Sequence, residues 1–194
     1  MCGRYYVDDE TAREIEKLVR KLDQRMKGSG KKDVFPSQKA VVLCEGLRGL
    51  YARQMTWGFP GYDHKGMIIN ARAESALDKK TFQDSIRHNR CVIPAKGFYE
   101  WNKSREKSAF ERTDAPVLFM AGCYQLFQDQ EHFVILTTKA NPSVSPVHER
   151  MPLILDRGEI DQWLCDDSAA EGFLKKVPVL LKRETEYEQL QLFE

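Results

Sequence analysis

The feature that most limits how this chain can fold is its middle part, where short apolar runs follow one another: RCVIP, GFYEWN, PVLFMAGCYQ and HFVILTTKA. They are rich in aromatic and β-branched residues, which suit a pleated, packed surface. Most of the links between them are short. Parallel strands need crossovers of about a dozen residues or more, so these links predict an antiparallel sheet rather than a βαβ array. Upstream, KAVVLCE and GLYARQMTW read as two further strands, joined as a hairpin through Glu45-Gly46-Leu47-Arg48-Gly49. Proline lacks the ladder donor, so RCVIP is expected to end at Pro94.

Helices are predicted around this sheet. In DDETAREIEKLVRKLDQRM, Ile15, Leu18, Val19, Leu22 and Met26 keep the helical period, with Asp8 or Asp9 as cap. KGSGKKD reads as a flexible basic connector. TFQDSIRHN reads as a short helix, LILDRGEIDQWL as a strand then a helix, and GFLKK as a final short helix. The alternating EYEQLQLFE reads as a closing edge strand. NPSVSPVHERMP is a loop stiffened by its prolines. No repeat or domain boundary interrupts the chain. The expected class is α+β: one domain over residues 1–194, with a curved, barrel-like, mainly antiparallel sheet and peripheral helices.

A chain of 194 residues can bury a sizeable core without staples. No run approaches the ~20 apolar residues of a membrane span, and the start lacks the pattern of a signal peptide. A cytoplasmic protein is expected, or a nuclear one in a cell with a nucleus. The five cysteines (Cys2, Cys44, Cys91, Cys123 and Cys165) are odd in number and lack a CxxC spacing, which argues against structural zinc. Cys44, Cys91 and Cys123 sit in apolar runs and read as buried thiols. Formal net charge is +1, so nucleic-acid binding would need a local basic cluster.

Four stretches carry polar residues in otherwise structural surroundings: MCGRY, NARAES, GFYEW and HERMPLIL. Position 2 is usually frayed and solvated, and an exposed thiol there invites oxidation. Removing Met1, however, would leave an amine and a thiol together on Cys2. In GFYEW, period two puts Gly97, Tyr99 and Trp101 on one face and Phe98 and Glu100 on the other. Glu100 is then either a rim residue facing water or a pocketed carboxylate with a raised pKa, suited to proton transfer. His148 lies in the stiffened loop and reads as an acid or base, or as a solvated loop residue. Asn70 follows Ile68 and Ile69, so it either caps the next segment or orients something. Arg72 is a surface residue or a bidentate phosphate ligand.

Taken together, MCGRY, TWGF, INARAES, RCVIPAKGFYEW and HERMPLIL resemble, in order and spacing, the SRAP family of "SOS-response-associated peptidases". The resemblance spans the chain. It implies the SRAP fold and covalent capture of abasic sites in single-stranded DNA by the N-terminal cysteine, as part of the DNA damage response. On that resemblance Cys2 is the crosslinking residue. Asn70 lines the site and steadies the adduct. Glu100 is the acid/base carboxylate, and His148 assists sugar opening. Arg4, Arg72 and Arg150 hold the DNA backbone, and Trp57 and Gly58 lie where DNA bends away. Lys32-Asp33-Val34-Phe35-Pro36 departs from the family's frequent Tyr-Asn-x-x-Pro segment.

These residue types suit that chemistry. An abasic deoxyribose exists partly as an aldehyde. The amine of an N-terminal cysteine forms an imine with it, and the thiol closes on the same carbon to a thiazolidine, aided by proximity. An α-amine titrates near ~7.7 and a thiol near ~8.5, so a base helps at neutral pH. Glu100 can relay the amine proton to the departing hydroxyl, and His148 can donate to the ring oxygen, with these roles open to exchange. Asn70 can hydrogen-bond the sugar or the new ring. Arg4, Arg72 and Arg150 would supply a basic groove, and Trp57 or Phe59 a stacking surface. The expected partner is single-stranded DNA with abasic sites, bound by a monomer that is nucleoid-associated when on DNA. No metal or nucleotide cofactor motif is present. Three alternatives stand beside this reading: a peptidase using Cys2, His148 and Asn70, a reversible DNA-binding module, and a thiol redox sensor.

Overall fold

The computed structural model describes residues 2–19, 30–47, 49–61 and 66–185. Leu22, Met26, Arg48 and the EYEQLQLFE segment lie outside the described residues. Along the chain run β1 (Tyr5–Val7), α1 (Asp9–Leu18), β2 (Lys32–Val34), β3 (Lys39–Cys44), β4 (Tyr51–Trp57), β5 (Phe59–Pro60), β6 (Met67–Ile68) and β7 (Asn70–Arg72). Next come α2 (Lys80–His88), β8 (Arg90–Ala95), β9 (Gly97–Trp101), β10 (Lys107–Glu111), β11 (Leu118–Phe127), β12 (Gln130–Lys139), β13 (Arg150–Pro152) and β14 (Ile154–Leu155). The last elements are α3 (Ile160–Cys165), α4 (Asp167–Phe173) and β15 (Lys182–Thr185).

Five strands close a barrel in the order β12-β4-β3-β8-β11 and back to β12. The β3–β4 hairpin pairs Cys44 with Tyr51 and Lys39 with Thr56. An odd ring of strands cannot alternate direction all the way round, so one junction must be parallel. It falls between β4 and β12, where His132 lies opposite Thr56. β7 adds to β12 in parallel as well, with Ile135 opposite Asn70. A second sheet, β15-β10-β9-β1-β2, lies beside the barrel.

β8, the first part of β11 and the centre of β12 are buried on both faces, which is why their sequences run apolar without alternation. Val42, Cys44, Cys91, Ile93, Phe133 and Ile135 pack in one cluster with Tyr5, Phe98 and Phe110 of the second sheet. Leu43, Val92, Val134 and Leu136 turn the other way and pack with Ile15, Ile86, Ile160 and Trp163 of the helices. Burying each such Val, Leu, Ile or Phe side chain is worth roughly 1.5–3 kcal/mol. Trp163 also donates its indole N–H to the Cys91 carbonyl at 3.0 Å, pinning α3 to β8.

Helix α1 begins where the sequence predicts. The Asp8 side chain accepts from the Thr11 amide at 2.9 Å, and the Thr11 hydroxyl accepts from the Asp8 amide at 3.2 Å. Several boundaries differ. β8 runs through Pro94 to Ala95. Lys96 sends its amide to Tyr6 of β1, so Pro94, two residues earlier, points its donor-less nitrogen to that side and away from β11. The end of the supposed connector, Lys32 and Asp33, joins Val34 in a strand paired with Tyr5–Val7. The last helix spans Asp167–Phe173 and stops before Lys175 and Lys176; Asp166 caps it.

Candidate active site

Cys2 lies just ahead of β1, in the cluster between the barrel and the second sheet, and is 1% exposed. Asn70, on β7, donates its amide to the Cys2 carbonyl at 2.8 Å. It therefore sits in a strand and does not cap the following turn; of its two sequence readings, orientation holds. Its Oδ1 is buried and has no hydrogen-bond partner among the described residues. The strand is fixed from behind by Trp57, whose indole N–H donates to the Ile69 carbonyl at 2.9 Å.

Glu100 points inward from β9 and is 2% exposed, the pocketed of its two alternatives. Burial pushes its carboxyl above the ordinary carboxylate range, against the pull of the positive amino terminus and of His148. Burial likewise pushes the Cys2 thiol far up, and the Glu100 carboxylate acts in the same direction. Cys2 is thus held as a neutral thiol beside a carboxylate inclined to take and return protons. His148 accepts the Arg150 amide on Nδ1 at 2.9 Å. The same nitrogen also lies 3.2 Å from the Arg150 carbonyl.

Arg150 does not stand open for phosphate. Its guanidinium forms a fork with Glu74, at 2.5 and 2.8 Å, and also donates to the Thr137 carbonyl at 2.6 Å. A planar guanidinium matches a carboxylate bidentately, so the pair has a defined geometry. It ties the HERMP stretch, with His148, to the NARAE stretch, with Asn70. Two motifs far apart in sequence are thereby locked into one wall.

Two other expectations need correction. Trp57 and Phe59 are both fully buried and offer no stacking face. The Trp57 ring lies between Tyr5, at 5.2 Å, and Phe133, at 6.3 Å. Gly58 is a buried turn with φ +111°, its amide bonded to the Phe133 carbonyl and its carbonyl to His132. Its value is conformational, because an L-residue is strained at that φ. Arg72 is exposed at the end of β7. Arg4 is half-buried and pairs with Asp33 at 3.5 Å.

Arg4 also belongs to a surface that the motifs did not announce. Its guanidinium lies 4.5 Å from the Phe35 ring, 5.3 Å from Trp101 and 5.8 Å from Tyr99. Lys107 stands 5.0 Å from Tyr99, and Lys31 is 4.1 Å from Tyr6. Such pairs hold cations over aromatic faces. The period-two reading of GFYEW carries the signal, since it places Tyr99 and Trp101 together on the face opposite Glu100. Phe35 falls in the segment that departs from the family pattern.

A family model described as "SOS response associated peptidase (SRAP)" matches residues 1–192. The chain belongs to the SRAP family. Among its relatives is the abasic site processing protein YedK of Escherichia coli, 29% identical over 176 residues, covering 84% of this chain and 79% of that one. The abasic site processing protein YoqW of Bacillus subtilis is 27% identical over 194 residues, covering 91% and 86%. A crystal structure of a Bordetella bronchiseptica protein superposes with a TM-score of 0.77 at 23% identity, over 95% of this chain and 99% of that one. That likeness shows the same fold: a barrel with added strands and flanking helices. Among the described residues of this SRAP domain, no group of three or more His, Cys, Asp or Glu could hold a metal ion, and no helix is long and apolar enough to cross a membrane.

Proposed function

We propose that this SRAP domain processes abasic sites in single-stranded DNA by capturing them covalently on Cys2. The observation that carries the proposal is the Asn70–Cys2 hydrogen bond at 2.8 Å, with Glu100 inside the same buried site. With residue 1 removed, the α-amine belongs to Cys2 itself. The amine attacks the sugar aldehyde and water leaves, giving an imine. The sulfur then adds to the imine carbon, its proton leaves and the ring nitrogen gains one, so the whole reaction releases one water.

Each neighbour has a task in this scheme. Glu100 takes the amine proton and returns it to the departing hydroxyl; its raised carboxyl range suits a relay near neutral pH. His148 offers a proton to the sugar oxygen. Asn70 fixes the Cys2 carbonyl through Nδ2 and presents an unused buried acceptor, Oδ1, to a sugar hydroxyl. Arg72 and Arg4 provide phosphate contacts, and Phe35 and Trp101 replace Trp57 as candidate stacking faces.

The family description names a peptidase, and that reading is less well supported. A cysteine peptidase runs on a thiolate stabilised by an imidazolium. Here burial and a carboxylate both push the thiol the other way. The test offers an abasic oligonucleotide and a fluorogenic peptide to one preparation. Capture predicts a DNA band shifted on a denaturing gel, lost in Cys2→Ala, with no peptide turnover. Peptide turnover without a shifted band overturns the proposal.

A further inference from the structure

Glu74 stands just after β7, in the short 3-10 turn Ala73–Ser75. β7 and β13 lie on opposite sides of β12: Thr137 faces Arg72 of β7 on one side and Pro152 of β13 on the other. The Arg150 side chain crosses that strand. On the way it donates to the Thr137 carbonyl at 2.6 Å, and beyond it meets both Glu74 oxygens, at 2.5 and 2.8 Å. Exposed ion pairs usually contribute little, but this arginine is largely buried and its contact is bidentate. The guanidinium holds the Glu74 carboxyl below the usual carboxylate range, so the fork stays charged at neutral pH. The main chain of the same arginine sets His148: its amide donates to the imidazole Nδ1 at 2.9 Å, and its carbonyl lies 3.2 Å from that nitrogen. Arg150 thus touches His148 through its backbone and Glu74 through its side chain.

We propose that Glu74 is a positioning residue for His148: by gripping the Arg150 side chain across β12, it fixes the backbone against which the imidazole is set. This rests on the covalent capture proposed above, in which His148 gives a proton to the sugar oxygen. Arg150 is the first residue of β13, where the loop carrying His148 meets the sheet. That strand is three residues long, so its ladder alone fixes the junction weakly. The fork holds the junction from the far side of β12. Without it, β13 keeps its pairing and the protein stays folded, but the end of the loop gains freedom. A reacting group displaced by 1 Å loses up to ~10²-fold in rate, so a small loosening here is felt in the chemistry.

The test follows capture on denaturing gels against the concentration of abasic strand, with proteins confirmed to begin at residue 2. This separates the limiting rate from the half-saturating concentration. Glu74→Gln should slow the limiting rate about tenfold and leave the half-saturating concentration unchanged. In a His148→Ala background the same substitution should cost less than about twofold, because both changes act through one group. Glu74→Asp keeps the charge one methylene short and should recover part of the rate; it carries the comparison if the glutamine variant does not fold. In NMR spectra of the free protein, the His148 imidazole should give one sharp set of signals in wild type and broadened or split ones in Glu74→Gln. A limiting rate equal to wild type, an equal loss in the His148→Ala background, or unchanged imidazole signals would each overturn the proposal. Tighter DNA binding at an unchanged rate would overturn it too, and would make Glu74 a shield between Arg150 and phosphate. Wild type that forms no adduct would instead overturn covalent capture, and the imidazole signals would still decide the role of Glu74.

Discussion

Glu100 sets chemistry against stability within one residue. Its folded-state carboxyl is raised by burial, while the unfolded chain releases the same proton near the ordinary value of 4.5. The stability it contributes is therefore complete below that value and is lost as pH rises through the raised one. Glu100→Gln should melt higher than wild type at pH 7, with the gain fading toward pH 4; thermal midpoints across that range check it. An equal or lower midpoint at pH 7 would mean that the site carries no such cost. The same variant should capture abasic DNA on the order of 10²-fold more slowly, the usual scale of a lost acid/base group. Cys2 behaves differently. Cys2→Ser keeps the amine and should still form a reducible imine, but no thiazolidine, which borohydride trapping distinguishes.

At the scale of elements, one buried arginine joins three helices, α2, α3 and α4. Arg90 donates to the Ile86 and Arg87 carbonyls at the end of α2, to the Trp163 and Leu164 carbonyls in α3, and to Asp167 at 2.7 Å. Arg90→Ala strands four carbonyls and should cost about 1–3 kcal/mol or more, the scale of leaving buried acceptors unsatisfied; the urea midpoint reads it. The elements themselves were mostly legible. The β3–β4 hairpin, α2, β9, β11 and β12 all follow from turn residues and apolar runs. β1, β2 and β10 are three to five residues long, with polar positions, and only pairing makes them strands: β1 and β10 with β9, and β2 with β1. GFYEW put Glu100 on the face opposite Tyr99 and Trp101, because alternation is a property of one strand, but left open whether that face met water or a pocket. Trp57 and Arg150 misled for the opposite reason. Their surroundings, Phe133 and Glu74, come from distant sequence, and no local pattern reveals that the indole is sandwiched or the guanidinium already bound.

For the molecule as a whole, the question is how a chain of net charge +1 holds a polyanion. The answer must be local, and the proposed contacts are the exposed Arg72 and, separately, Arg4 with the aromatic rings around it. Affinity for single strands should fall steeply with salt and depend little on base sequence. Arg72→Ala should weaken binding uniformly and reduce the log–log salt slope by about 0.7, one single-strand phosphate contact. Unchanged affinity at moderate salt would place the DNA elsewhere. The most direct test of the account is intact mass spectrometry of protein confirmed to start at Cys2, incubated with an oligonucleotide carrying one abasic site. The account predicts a species heavier by the oligonucleotide less one water, absent for an undamaged strand. A preparation that shows only the unmodified protein mass with the abasic strand would contradict it.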